Sequence, residues 1–189
     1  GGDPASPSAV SAFRLGMTQP ALEVNGLLTR RLYYGVGVSQ GAGGATTDNN
    51  RRKDAYLKLR YKAGGVALDG SVPDSRSVAP GQFGQIYERA LVVEAFGYAG
   101  SEPTAAGGES SHQAYGVNLR WLHGPADVGV GAVHSRDADA WGDGRGTLRT
   151  SSLFLKAEYL LYPWLMASVK AERFSIAAPR PGVPGRQEF

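Results

Sequence analysis

The amino-acid sequence predicts an all-β protein, an antiparallel up-and-down transmembrane β-barrel with about eight or nine strands visible. Three patterns predict this fold. Short segments alternate apolar and polar residues with a period of two, as strands with two unlike faces do. Tight turns alternate with long polar loops, which places the two kinds of connection at opposite ends of up-and-down strands. Charged residues occupy the middle of the polar faces as well as the strand ends.

The alternation is clearest in segment 54–62, where Leu57 and Leu59 lie on one face and Lys58 and Arg60 on the other. A helix would scatter these apolar side chains around its axis, whereas a strand separates them. Segment 89–98 has the weakest pattern, because both of its faces are apolar. In chain order, the predicted strands cover residues 12–17, 22–26, 32–39, 54–62, 89–98, 115–121, 128–133, 153–161 and 165–172.

The connections define the organisation of the chain. The tight joints are 28–31, 124–127 and 162–164, and the long polar loops are 41–53, 101–114 and 135–150. Segment 65–87 is an exception, since its position in the order calls for a short turn. Three alternatives stay open for it: a fold into the lumen, a short helix, or an additional strand. The predicted divisions are an N-terminal extension (1–11), the barrel strands and loops (12–175), and a C-terminal loop or start of a further strand (176–189).

Composition excludes several classes of protein. A chain of 189 residues suits one domain, and a net charge of +3 is too small for a nucleic-acid binder. Without cysteine, the chain alone forms no disulfide, zinc–thiolate site or iron–sulfur cluster, and no cofactor is predicted. The longest apolar run, 160–167, contains Pro163 and falls short of the ~20 residues of a spanning helix. Residues 1–7 lack the features of a secretory signal, which predicts a mature or trimmed end.

The charged face of each strand is predicted to line a lumen. A membrane barrel turns its apolar face to lipid and its polar face inward, the inverse of a soluble sandwich. Glycines on the polar face are expected to leave room in the lumen; they are Gly35, Gly37, Gly116, Gly129 and Gly131. The residues expected to face outward are Leu57, Leu59, Leu119, Leu155 and Val169. The predicted lumen charges are Lys58, Arg60, Lys62, Arg120, Lys156, Lys170, Glu23, Glu94, Glu158 and Glu172.

These lumen charges comprise six cations and four carboxylates, a surplus of +2. Lys156 with Glu172, or Lys170 with Glu158, is expected to pair across adjacent strands. Segment 54–62 then keeps three unpaired cations, which predicts weak anion preference.

Aromatic residues near the strand ends are predicted to lie at the two membrane interfaces. The rings of Trp and Tyr favour this depth, because one end is apolar and the other forms hydrogen bonds. The predicted interface aromatics are Tyr34, Tyr61, Tyr98, Tyr115, Trp121, Tyr159, Tyr162 and Trp164.

Segments 20–38, 53–62 and 157–165 resemble hairpins and strands of Gram-negative outer-membrane porins. The resemblance covers roughly residues 12–175 and is one of pattern, without an invariant motif. It implies a location in the bacterial outer membrane, with lipids and small solutes or ions as partners and no nucleic acid. An oligomeric state or partner protein is not indicated. Segment 177–189 departs from the pattern, because it has three prolines and no alternation. A complete barrel and a fragment of a longer one therefore both stay open.

Two groups of residues were weighed for chemistry. The histidines His112, His123 and His134 adjoin serines in places, namely Ser110, Ser111 and Ser135, which permits a Ser/His hydrolase. No G-x-S-x-G elbow accompanies them, so loop and rim histidines are the preferred interpretation. The loop with Asp137, Asp139 and Asp143 is a weak candidate for a divalent ion, but its spacing does not match a calcium loop.

The function predicted from these patterns is passive and not enzymatic. The first expectation is a porin-like channel, or a barrel that sleeves another component, for small solutes or ions. The first alternative is a soluble lipocalin-like β-barrel that binds an apolar ligand inside. The second alternative is an outer-membrane lipid hydrolase that uses a Ser/His pair.

Overall fold

The computed structural model describes residues 21–40, 53–72, 74, 76, 78–81, 86–103, 109–139, 146–177 and 187–188. These ranges contain no α-helix, and none of their residues belongs to a helix that could cross a membrane. The strands are Ala21–Thr29 (β1), Leu32–Ser39 (β2), Asp54–Gly64 (β3), Val78–Pro80 (β4), Ile86–Pro103 (β5), Glu109–Gly124 (β6), Ala126–Asp137 (β7), Leu148–Tyr162 (β8), Leu165–Ala177 (β9) and Gln187–Glu188 (β10).

The strands form one antiparallel sheet that follows chain order. Its path is β1-β2-β3-β5-β6-β7-β8-β9-β10, and β4 lies off this path, paired with β5. The predicted all-β antiparallel fold is therefore confirmed. Within the described ranges β1 and β10 do not pair with each other, so the sheet is open and does not close into a barrel. The predicted strand at 12–17 lies outside the described residues.

Several strands are longer than the sequence predicts. β5 and β6 stay paired as far as Pro103 and Glu109, so residues 101–103 and 109–114 of the predicted loop 101–114 are strand. β7 and β8 likewise stay paired to Asp137 and Leu148. The alternation fades in these extensions because polar residues occur on both faces, although the backbone ladder continues. We call this end of the sheet the loop end and the opposite end the turn end.

In segment 65–87 the structure describes a folded-back loop at 65–72 and a short strand, β4, at the turn end. β4 pairs with the first residues of β5, which was one of the three alternatives. The Arg31 guanidinium donates to the Lys62 and Gly64 carbonyls at the end of β3, at 3.1 and 2.7 Å, and the Leu68 N–H donates to the Arg30 carbonyl at 2.8 Å, which anchors the loop at the β1–β2 turn. The loop is closed by Asp69, which accepts from the Ser71 hydroxyl and N–H. These hydrogen bonds hold the pKa of Asp69 below its usual range.

The two faces of the sheet differ in composition and curvature. On one face the apolar side chains are exposed, with Leu119 at 42% and Val169 at 66%. Charged side chains share the opposite face with a cavity of about 590 Å³, whose lining reaches from Tyr33 on β2 to Phe154 on β8. Because one cavity has walls from so many strands, the sheet curves toward this side. We call the two sides the apolar face and the charged face. The buried apolar residues of the described ranges are Ala67, Ala90, Val92, Ala114 and Leu148.

The apolar stretch shifts along the strands from one side of the sheet to the other. It covers Leu32–Val38 on β2 but Leu165–Ala171 on β9. In a level band, the strand-to-strand pairing partners followed from Val38 would end at Ala171, where the stretch on β9 ends on the loop side. The partners instead end six residues further, at Ala177, after passing through Ala55, Ala99, Gln113, Arg136 and Arg149.

The turn-end edge of the stretch shifts by the same amount. The register starting at Leu32 leads to Ala171, six residues from Leu165. With ~3.3 Å per residue and ~4.8 Å between strands, six residues over six strand-to-strand steps is an inclination of about 35°. The apolar stretches thus form a band, the apolar band, that crosses the strands obliquely. On β8 it runs from Leu153 to Leu161, ~26 Å along the strand and therefore ~22 Å across the band.

Candidate functional site: the charged face

The charged face carries ion pairs that join neighbouring strands from β1 to β7. At the β1 side, Glu23 accepts from the Tyr56 hydroxyl at 2.7 Å and from the Lys58 ammonium at 3.1 Å. These contacts span two strand spacings, because β2 lies between β1 and β3. They are sterically allowed because β2 presents Gly35 and Gly37 here: a Cβ on Gly37 would lie 2.4 Å from the Tyr56 ring.

The centre of the face contains a chain of polar contacts across three strands. Arg60 on β3 pairs with Glu94 on β5, which is its direct register partner. Glu94 also accepts from the Asn118 amide on β6 at 3.0 Å. Lys62 pairs with Glu88 at 2.7 Å, near the turn end. Three neighbouring cations of β3, counting Lys58, therefore each have a carboxylate partner.

The second half of the face pairs its charges differently. Arg120 on β6 makes a two-pronged contact with Asp127 on β7. Lys156 pairs with Glu158 at 2.7 Å and Lys170 with Glu172 at 3.6 Å, each within its own strand. The predicted cross-strand pairs of these lysines and glutamates are wrong. The register places Lys156 directly opposite Lys170, so each lysine takes the carboxylate two residues along its strand.

The predicted surplus of positive charge is also wrong. Four further carboxylates lie on the charged face beside the predicted four: Glu88, Asp127, Asp54 and Asp137. Six cations therefore face eight carboxylates among the side chains that the structure describes. Glu88 lies just before the predicted strand 89–98 and Asp127 inside a predicted turn, so the sequence pattern stopped short of both. Extending each predicted strand by one residue at its N-terminal end would have placed both carboxylates on the charged face.

The geometry nevertheless presents the cations to water more than their partners. The Lys58 side chain is 54% exposed and that of Glu23 is 23%, and the Lys156 side chain is 52% exposed against 16% for Glu158. Arg60, Arg120 and Lys170 follow the same order against their own carboxylates. Lys62 is the exception, with 14% exposure. The charged face is thus paired throughout, with cationic groups outermost.

The glycines of the charged face were predicted to leave empty space in the lumen. Instead, Gly37, Gly116 and Gly131 accommodate aromatic rings from adjacent strands. Phe154 lies over Gly131, its register partner, and a Cβ there would approach the ring to 2.3 Å. Phe96 lies over Gly116 in the same way, at 2.5 Å. Among the five glycines predicted to leave room, Gly129 alone has no heavy atom closer than 3.8 Å. A ring packed on a cross-strand glycine compensates for the missing side chain.

This contrast predicts opposite results for two glycines of one strand. Gly131→Ala is expected to lower the free energy of unfolding by ~1–3 kcal/mol, because the Phe154 ring must move. Gly129→Ala is expected to be neutral or stabilising by up to ~1 kcal/mol, because its Cβ enters open space. Urea unfolding of both variants is the measurement. Equal effects at the two positions would contradict the ring packing.

The predicted interface aromatics divide between the faces. Tyr98 lies on the charged face, where its hydroxyl donates to Asp54, so its placement at an apolar-face boundary is corrected. The alternation of β5 misled the prediction because both faces of that segment are apolar. Tyr61, Trp121 and Tyr159 lie on the apolar face. Following the pairing partners across the sheet, Trp121 lies two residues nearer the turn end than Tyr61, and Tyr159 two residues nearer than Trp121. This displacement matches the inclination of the band. Tyr34 and Tyr115 share that face, and Tyr162 stacks on Trp164 at the β8–β9 turn.

The histidines do not form the Ser/His pairs that adjacency in sequence suggested. Ser110 donates to Asp137 at 2.8 Å, and the His112 ring lies 4.0 Å from the other oxygen of that carboxylate. Ser135 instead bonds the Thr150 hydroxyl. His123 stacks on Trp121. His134 does contact a serine, Ser151, at 2.9 Å, but this serine comes from the neighbouring strand β8.

The candidate divalent-ion loop is only partly described. Asp137 accepts from Ser110 and from the Asp139 N–H, which ties the carboxylate to the β6 end. Asp143 lies outside the described residues. Among those that are described, no three His, Asp or Glu side chains are grouped as metal ligands would be.

No protein-family model matches this chain, and no curated protein or solved structure matches it either. The faces of the sheet and the groups they carry are therefore what bears on its function.

Proposed function

We propose that this chain forms part of the wall of a bacterial outer-membrane β-barrel. The apolar face contacts lipid, and the charged face lines a passage for small solutes or ions or sleeves another component. The observation that carries the proposal is the oblique apolar band. A level band would suit any amphipathic sheet, whereas strands of membrane barrels tilt by ~35–45° against the membrane normal.

The dimensions of the band support the same proposal. Its width is ~16 Å on β2 and β9, where it spans six residue steps, and ~22 Å on the β8 stretch Leu153–Leu161, compared with the ~25 Å apolar belt of outer-membrane barrels. Corrected for the inclination, Tyr61, Trp121 and Tyr159 lie at one level near the turn-end edge of the band. A row of Trp and Tyr at one depth is typical of a membrane interface.

The charged face suits an aqueous passage with weak anion preference. Its cavities, about 590 and 510 Å³, have walls that include Lys58, Arg60 and Lys156. An approaching solute meets the ammonium and guanidinium groups before the less exposed carboxylates. The reason for anion preference is thus the outermost position of the cations, and not a surplus of them. Eight strands would close on a lumen filled by side chains, whereas an aqueous channel needs about sixteen, so we propose that further strands complete the barrel.

The two alternatives have less support. A soluble lipocalin-like barrel hides its apolar side chains around a ligand, but here many large apolar side chains of the apolar face are exposed, and the cavity on the other side combines rings such as Phe96 and Phe154 with charged groups. A lipid hydrolase needs a nucleophile activated by a base. Ser110 and Ser135 contact Asp137 and Thr150 instead. The serine that does contact a histidine, Ser151 with His134, lies on the apolar-face side of the sheet.

Because the chain has no cysteine, single cysteines test the proposal directly. Asn118→Cys and Leu119→Cys are neighbours on β6 that point to opposite faces. In the full protein reconstituted in phosphatidylcholine vesicles, a water-soluble maleimide is expected to label position 118 at least ~10 times faster than position 119. The thiolate that reacts needs access to water. Gln113→Cys, on the same face as position 119 but beyond the band, is the control and is expected to react. Equal labelling at 118 and 119, or protein that does not sediment with the vesicles, would refute membrane embedding.

A further inference from the structure

Three arginines lie on the apolar-face side of the sheet, just beyond the loop-end edge of the apolar band. They are Arg136 on β7, Arg149 on β8 and Arg173 on β9, and all three are exposed. Arg136 and Arg149 are direct register partners. Like charges directly opposite each other destabilise a strand pair, so this arrangement calls for a compensating anion.

No carboxylate of the described ranges supplies that anion to Arg136 or Arg149. Their neighbours on the same face are uncharged or basic: Gln113, His134, Ser151 and Ser175. The carboxylates that pair on β6 to β9, such as Asp127, Glu158 and Glu172, belong to the opposite face. The arginine cluster therefore presents positive charge outward, away from the passage.

The two paired arginines lie just beyond a lipid headgroup layer, within reach of their side chains. Arg136 is four residues beyond Ala132, the last apolar residue of β7, and Arg149 is four residues beyond Leu153. At ~3.3 Å per residue and the inclination above, both Cα atoms lie ~11 Å outside the band, and Arg173 lies ~5 Å outside. The headgroup layer is ~5–8 Å thick on each side of a bilayer. An arginine side chain bends back toward such a layer readily.

We infer that Arg136 and Arg149 bind the phosphate group of a lipid headgroup in the leaflet at the loop end. The guanidinium fork matches phosphate oxygens in pairs, and two forks from adjacent strands hold one phosphate between them. The inference rests on the proposed membrane embedding and adds the class of partner. It differs from a general attraction to the membrane, because it assigns the contact to one leaflet and to named residues.

The test measures lipid retention by the full protein in detergent micelles by native mass spectrometry. The probe is dioleoyl phosphatidic acid, with dioleoyl phosphatidylcholine, inorganic phosphate and a hexaglutamate peptide as separate arms. The wild type is expected to bind phosphatidic acid about tenfold more tightly than the Arg136→Gln/Arg149→Gln double variant. Arg89→Gln, an exposed arginine of the same face at the turn end, is the matched control and is expected to bind like the wild type.

A lysine double variant, Arg136→Lys/Arg149→Lys, keeps the charge but removes the fork, and is expected to show an intermediate loss. The inference is overturned if the glutamine double variant binds like the wild type, or if Arg89→Gln loses as much. It is also overturned if inorganic phosphate or hexaglutamate displaces the lipid at equal concentration, since the site then takes free anions or acidic protein. Cysteine labelling at positions 118 and 119 separates the two proposals. Failure to embed overturns both, whereas embedding with unchanged lipid binding overturns this one alone.

Discussion

Replacing Leu119 by arginine is expected to destabilise the membrane-inserted protein by ~2–4 kcal/mol. Leu119 lies near the middle of the apolar band on β6, between Val117 and Trp121 on the same face, and is 42% exposed. A guanidinium at this depth starts in hydrocarbon, and bringing it to water bends the side chain toward an interface or thins the bilayer locally. The measurement is the free energy of unfolding by urea from phosphatidylcholine vesicles.

Two control variants on the same strand distinguish the effect of depth in the membrane from the effect of the face on which the arginine lies. Gln113→Arg is on the apolar-face side but beyond the band, and is expected to cost ~0–1 kcal/mol because the cost falls toward the interface. Asn118→Arg adds the same charge to the charged face, where Glu94 is within reach. It is expected to cost less than ~1 kcal/mol. If all three variants cost the same, or if Leu119→Arg is harmless, the apolar band does not face lipid.

The faces of the strands could be predicted from the sequence because the contrast between them is local. Leu57 and Lys58 are neighbours, and only an extended backbone separates such neighbours onto opposite sides. The same reasoning gave the wrong face for Tyr98. Because β5 has apolar residues on both faces, its alternation does not distinguish one face from the other. The strand extensions at Gln113 and Ser111 were missed for the converse reason, since both of their faces are polar there.

The ion-pair partners could not be predicted, because pairing depends on register. The prediction of a Lys156–Glu172 contact required a register two residues away from the one observed. The shift near Leu161, where β8 and β9 meet the turn, sets that register, and no local pattern of the charges reveals it. The inclination of the apolar band has the same origin. Every apolar stretch is visible in the sequence, but their relative displacement appears only once the strands are aligned.

Neutralising four of the five outermost cations together is expected to reverse the ion preference of the completed barrel. The variant replaces Lys58, Arg60, Arg120 and Lys156 by glutamine and leaves their carboxylate partners in place. A unit charge ~10 Å from a passing ion contributes ~0.4 kcal/mol in water, and one Debye length reduces this to about a third. Four such charges amount to ~0.6 kcal/mol for one ion, attractive for an anion and repulsive for a cation. The difference of ~1.2 kcal/mol corresponds to about an eightfold change in the ratio of anion to cation permeability.

Reversal potentials of the full protein in planar bilayers, under a tenfold salt gradient, measure this ratio. Lys62→Gln is the matched control, because Lys62 is the one cation of the set whose side chain is less exposed than its carboxylate partner. It is expected to leave the reversal potential unchanged, although the formal charge of the face changes by one. A shift for Lys62→Gln equal to one quarter of the fourfold variant's would show that total charge decides, and not exposure. Cation preference in the wild type, or a fourfold variant without effect, would show that these cations serve only to pair with carboxylates along the sheet.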